Sequence, residues 1–120
     1  MAVDPLHSAI AGIVVHAEKV AVAAHNIANV NTEGFKKSRA VIESDAAGQP
    51  DVKVTQSEPP GPMIPAPEGL PGGAEFVEMS NVNLAEEIVQ IQIAKYAYSA
   101  SVSIISAQDQ MIGTILDIIV

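Results

Sequence analysis

Residues 80–120, SNVNLAEEIVQIQIAKYAYSASVSIISAQDQMIGTILDIIV, decide how the rest of the chain is read. Asn83 is a good helix N-cap, and Glu86 sits three positions later. At that spacing a capping side chain and a carboxylate can satisfy each other's backbone donors. Nothing after it breaks a helix before Gly113. Two apolar stripes run along the pattern. Leu84, Ile88, Ile91, Tyr98, Val102, Ile105, Ile112, Leu116 and Ile119 keep a heptad spacing interrupted by Lys95 and Asp109. Val89, Ile93, Tyr96, Ala100, Ile104, Ala107, Met111, Ile115 and Ile118 step in an eleven-residue rhythm and fall on nearly the opposite side. A polar lane of Gln92, Lys95, Ser99, Ser103, Ser106, Gln110 and Asp117 separates them. A helix in a small monomer usually buries one face; this one calls for partners on two.

A matching helix opens the chain. Asp4 is a suitable N-cap, Pro5 fits the first helical position, and Leu6, Ile10, Ile13, Ala17, Val20, Ala24 and Ile27 follow a strict four-three alternation. This reads as a coiled-coil-like seam ending near Asn31, with Gly34 as terminator. Val15 and Val22 project from the other side. Between the helices, Ser38–Glu43 and Val52–Gln56 carry β-branched residues around turn chemistry at Asp45–Pro50, predicting a hairpin. Residues 58–73 hold six prolines among glycines, predicting a loop of polyproline character that serves as a connector. The expected architecture is mainly α: an antiparallel pair of long terminal helices with a small β-hairpin and a Pro-rich loop between them. Residues 1–34 and 80–120 would form one helical domain, with the β excursion at 35–57 and the connector at 58–79.

Composition limits the function. At 120 residues the chain is one small domain at most; it is 48% hydrophobic, yet holds only two Phe, two Tyr and no Trp. Such a chain makes aliphatic helix seams more readily than a compact core. A net charge of −8 argues against nucleic acid and anionic membranes as partners. The basic cluster Lys36, Lys37 and Arg39 reads as a solvated loop or edge strand. Without cysteine there are no disulfides, thiol nucleophiles or thiolate metal sites. Residues 10–30 are apolar, but His16, Glu18, Lys19, His25 and Asn26 argue against membrane insertion. The N-terminus lacks the basic region of a cleaved signal peptide.

No catalytic, cofactor or metal site is expected. His7, His16 and His25 recur every nine residues, which turns successive rings to opposite sides of a helix and suits surface polar residues. Glu86 and Glu87 diverge by about 100° and suit the helix dipole better than acid–base work. Gly72-Gly73 has neither a strand before it nor a helix after it, so it is no phosphate cradle.

The stretch Asn26-Ile27-Ala28-Asn29-Val30-Asn31-Thr32-Glu33-Gly34-Phe35-Lys36 resembles the N-terminal signature of bacterial flagellar rod and hook proteins. Ser80-Asn81-Val82-Asn83-Leu84-Ala85-Glu86-Glu87, with Tyr98 and a helix ending Met111–Ile118, is similar to the C-terminal signature of the same family. The family's frequent Ala-Tyr-Gln-Ala-Asn run is Ala97-Tyr98-Ser99-Ala100-Ser101 here. The short middle is most similar to proximal rod proteins. The resemblance implies a basal-body rod subunit, exported unfolded through the flagellar type III apparatus without a cleaved signal. It implies assembly with itself, other rod subunits, the export apparatus and basal-body ring proteins, through the signature residues and first stripes named above. One stripe would pair the subunit's own helices and the other would meet neighbours. Gln92, Ser99, Ser103, Ser106 and Gln110 would face the central channel. A cytoplasmic helical-hairpin adaptor or chaperone covering an amphipathic helix explains the same pattern differently.

Overall fold

The structure, a computed structural model, describes residues 4–69, 72–73 and 75–119. Helix α1 spans Pro5–Ala28, and helix α2 spans Leu84–Ile119. Strands β1 (Ser38–Ser44) and β2 (Pro50–Gln56) form the expected antiparallel hairpin, in register from Ser38 opposite Gln56 to Ser44 opposite Pro50. The turn is closed by Asp45, whose Oδ1 accepts the backbone N–H groups of Ala47 and Gln49 at 2.8 Å each.

Both helix starts follow their sequence signals. The Asp4 carboxylate accepts the Leu6 N–H at 3.0 Å ahead of Pro5, and Asn83 Oδ1 accepts from Ala85 and Glu86 at 3.1 and 3.3 Å. The capping box does not close, however: the Glu86 carboxylate turns away to Lys37 Nζ at 2.8 Å. Helix α1 stops at Ala28, earlier than expected, because Asn29 caps it. Its side chain donates to the His25 carbonyl at 2.9 Å and its N–H to the Asn26 carbonyl at 3.1 Å.

The proline-rich connector also departs from expectation. It contains strand β3 (Met63–Pro65), which pairs antiparallel with β4 (Phe76–Glu78) as a second two-stranded sheet. Proline is tolerated because this sheet has no central strand. Its base is locked by Gly61, where a Cβ would lie 1.9 Å from the Met79 carbonyl oxygen.

The two helices are antiparallel: Asn26 meets Glu87 at one end, and Gly12 meets Ser101 fourteen residues along each helix. The seam between them is not the one the apolar stripes indicate. Buried on α1 are Ala9, Val15, Ala23 and Asn26, with Gly12, His16 and Lys19 partly covered. Buried on α2 are Glu87, Ala94 and Ser101, with Gln90, Ala97, Ile105 and Gln108 partly covered. Apart from Val15, which the hairpin covers, and Ile105, both sets are heptads displaced one residue toward the N-terminus from the expected stripes. That shift is about 100° around each helix. Small residues decide it, since the backbones approach so closely at Gly12 that a Cβ there would sit 2.8 Å from Ser101 Oγ. The expected stripe residues are left on the flank: Leu6, Ile13, Val20, Ile27, Ile91 and Ile105 are half-covered, and Ile10, Leu84, Ile88, Tyr98 and Val102 are exposed.

Helix α1 is long and apolar enough to cross a membrane by length and composition alone. Within the fold its apolar residues are divided between α2, the hairpin and the open flank.

Candidate assembly surface and the signature junction

The first signature builds a turn and a buried polar contact. Asn26 is fully buried. Its Oδ1 accepts the Ser38 N–H at 2.8 Å, and its Nδ2 donates to the Ser38 carbonyl at 2.7 Å and to Glu87 Oε2 at 3.1 Å. One amide thus ties the end of α1 to the start of β1 and the first turn of α2. Thr32 Oγ1 donates to Asn29 Oδ1 at 3.1 Å, and Gly34 adopts φ 65°, a left-handed conformation that favours glycine. The chain is then directed so that Phe35 meets the edge of the His25 ring, centroids 5.5 Å apart.

The second signature completes the junction. Asn81 donates its backbone N–H to the Phe35 carbonyl at 3.2 Å, accepts the Lys37 N–H on Oδ1 at 2.7 Å, and donates from Nδ2 to the Pro59 carbonyl at 2.8 Å. Gly34 N–H reaches the Glu78 carbonyl at 2.8 Å, and Val82 N–H reaches Ser80 Oγ at 3.2 Å. Of the basic cluster expected on a solvated loop or edge strand, Arg39 is exposed on strand β1, whereas Lys36 and Lys37 are engaged here. Lys36 pairs with the Glu78 carboxylate, which also accepts the Gly61 N–H at 2.9 Å. Lys37 and Arg39 pair with Glu86 at 2.8 and 3.5 Å. The Lys36 contact, then the Gly61 N–H, holds the Glu78 carboxyl below the usual carboxylate range, and the Lys37 contact does the same for Glu86.

The signature residues Asn26, Asn29, Thr32, Gly34, Phe35, Asn81, Val82 and Asn83 therefore shape the subunit from within. Sequence reasoning missed their partners Ser38, Glu78 and Glu87, because such contacts lie up to 61 residues apart. His7 and His25 are exposed, as expected of surface polar residues, whereas His16 is partly covered. His7 Nδ1 lies 3.2 Å from Asp4 Oδ2, and His16 Nδ1 is buried without a hydrogen-bond partner. Burial, then nearby Lys19, pushes the His16 pKa down. Among the described residues no three His, Asp or Glu converge on a possible metal position.

What remains is surface. The chain exposes 8297 Å², against about 6,200 Å² for a compact monomer of its mass. The excess, on the order of 2,000 Å², is the size of a substantial protein interface. Much of it is apolar. Because the helices are antiparallel, their displaced stripes turn to the same side of the pair, away from the hairpin, which covers α1 beside Ala11, Val14 and Val15. Ile10, Ile88, Tyr98 and Val102 on this flank are 40–47% exposed. The second α2 stripe is exposed on the other flank at Val89, Ile93, Tyr96 and Ile104. Continuing the helix pairing places Pro5 level with Gln108, so about the last eleven residues of α2, roughly 16 Å, project beyond α1. In that projection Met111, Ile112, Ile115, Leu116 and Ile118 are 47–78% exposed. Gln92, Ser99, Ser103, Ser106 and Gln110 are exposed along the back of α2.

Residues 74–118 match the family model described as flagellar basal body rod FlgEFG protein C-terminal, and residues 16–36 match that described as flagella basal body rod protein. No curated protein matches the chain. The two matched segments contain both halves of the junction, almost all of α2 and the second half of α1. Carrying both terminal segments in this order, joined as one structural unit, the chain belongs to the flagellar basal body rod protein family, whose members are structural and not enzymes.

Proposed function

We propose that the chain is a proximal-type rod subunit, exported through the flagellar type III apparatus without a cleaved signal and stacked helically through its terminal helices. In that position it forms part of the drive shaft and of the wall of the export channel, beside other rod subunits and the basal-body ring proteins. The observation that carries this reading is the pair of apolar flanks and the projecting end of α2, which the subunit's own fold leaves uncovered. Large contiguous apolar surface on a soluble chain marks an interaction site. Contacts between different surface patches of identical subunits build rings where the rotation closes and open helices where it does not.

The polar lane Gln92, Ser99, Ser103, Ser106 and Gln110 faces the channel in this reading, where hydroxyls and amides present passing chains with nothing apolar to hold. An assembled rod with these serines packed between subunits would refute that placement. The location itself is tested by immunodetection in purified hook–basal bodies beside the cytoplasmic fraction. Enrichment in basal bodies is expected; a purely cytoplasmic signal in flagellated cells would reject the rod position in favour of an adaptor that binds amphipathic helices.

A further inference from the structure

The first stripe of α2 carries two charges, and their arrangement fixes how one copy meets another. Lys95 and Asp109 interrupt an otherwise apolar row, both are exposed, and neither has an ion-pair partner among the described residues. They occupy equivalent heptad positions two heptads apart. We propose that α2 packs in parallel on α2 of a second copy with a stagger of two heptads, about 21 Å, so that Lys95 of one copy meets Asp109 of the next. This deepens the rod reading and rests on it.

The alternatives in parallel packing are each penalised. Without stagger, Lys95 faces Lys95 and Asp109 faces Asp109, two like-charge layers inside an apolar contact. With a one-heptad stagger both charges face Val102 and are desolvated without a partner, the costliest arrangement for a buried charge. At two heptads the charges pair. The intervening layers remain apolar on apolar: Ile88 on Val102, Ile91 on Ile105, Val102 on Leu116. A single polar layer of this kind selects register at some cost in stability. The same stagger brings the body of one α2 over the projecting end of the next, covering Ile112 and Leu116, which α1 does not reach. The contact joins two different stretches of the helix, so it propagates instead of closing into a dimer.

The full chain has no cysteine, so engineered thiols report the contact directly. Lys95→Cys and Asp109→Cys chains, carrying tags of different size, are brought to a concentration at which sedimentation detects self-association, then oxidised alone and mixed. A disulfide-linked hetero-dimer well above the yield of either variant alone is expected. Self-association without that product, or efficient homo-dimer formation by Val102→Cys chains, which marks an antiparallel contact about the stripe's centre, overturns the stagger while leaving the rod position to the basal-body experiment. An absence of self-association at any concentration also overturns it. Charge reversal supplies the second readout. Lys95→Asp and Asp109→Lys should each weaken self-association roughly tenfold or more, through a desolvated like-charge contact. The double reversal should restore it; failure of the double to recover overturns the pairing.

Discussion

Replacing Asn26 with alanine should nearly unfold the subunit. The amide is fully buried and makes three hydrogen bonds, two to the Ser38 backbone and one to Glu87, whose carboxylate is itself only 6% exposed. Each buried partner left without its bond costs about 1–3 kcal/mol. Ser38 is only half-buried and water can compensate it in part, so the sum falls near 3–5 kcal/mol, approaching the whole stability of a small domain. Asn26→Asp separates geometry from charge. It keeps the acceptor for the Ser38 N–H, loses both donors, and sets a second carboxylate where the amide now lies 3.1 Å from Glu87. At neutral pH it should be at least as damaging as alanine and should recover on mild acidification, as the carboxylate pair takes up a proton. Adding Glu87→Gln should recover it at neutral pH as well. With no Trp in the chain, urea unfolding followed by far-ultraviolet circular dichroism is the suitable assay. A cost below about 1 kcal/mol for Asn26→Ala, or equal and pH-independent costs for the two variants, would refute the junction as the fold's main fastening.

Gly12→Ala should destabilise the wild-type chain, because the new Cβ meets Ser101 Oγ at 2.8 Å. In a Ser101→Ala background the nearest atom is Cβ at 3.7 Å, so the same change should stabilise by up to about 1 kcal/mol through helix propensity; thermal denaturation of the four variants reads the reversal. Gly61→Ala should separate the β3–β4 sheet from the junction at a cost of about 3 kcal/mol or more, detected as faster amide exchange at Met79 and Asn81, whose N–H groups bond Pro62 and Phe35. Glu78 and Glu86 have depressed pKa values in the folded state, so their contribution is fully present above about pH 4.3 and disappears as pH falls through the lower folded values. His16, also depressed, favours the neutral ring in the fold and should begin to cost stability from about pH 6.5 downward. The expected profile is a shallow loss below neutrality that His16→Gln flattens, followed by a steeper acid loss that it leaves unchanged, measured by urea midpoints across pH.

The helices, their caps and the β1–β2 hairpin were legible because each is written locally: Asp4-Pro5, Asn83, and β-branched runs around Asp45. The internal seam was not. Counting large apolar residues selects Ile10, Ile88 and Val102, whereas close helix approach selects Ala9, Gly12, Ala23, Ala94 and Ser101, which carry little hydrophobic signal. Both criteria mark heptads, one residue apart, and one sequence does not rank them. The partners of the signature residues were illegible for another reason. Asn26, Glu87 and Asn81 meet backbone or side chains far along the chain, and nothing local distinguishes a buried Glu87 from its half-exposed neighbour Glu86. The short β3–β4 pairing was hidden by proline content that excludes a central strand but not a sheet of two.

The distribution of burial has a consequence for how the subunit behaves before assembly. Among the described residues the buried apolar ones are Ala9, Val15, Ala23 and Ala94, none larger than valine. At about 25 cal/mol per Å² these contribute little against the ordering of two long helices. Cohesion is instead concentrated at one end, where Asn26, Asn81 and the Lys36, Lys37 and Arg39 ion pairs gather. Distance from that end should therefore set local stability along α2: amides near Glu87 and Ala94 protected, those beyond Gln108 exchanging almost freely. Such a chain would be easily unthreaded for the export proposed above, and in that proposal the neighbours that cover its flanks supply its remaining order. The gradient is measurable by hydrogen exchange on dilute protein. Uniform protection to the end of α2 would mean that the helix is stable by itself, and the uncovered flanks would then need an explanation other than assembly.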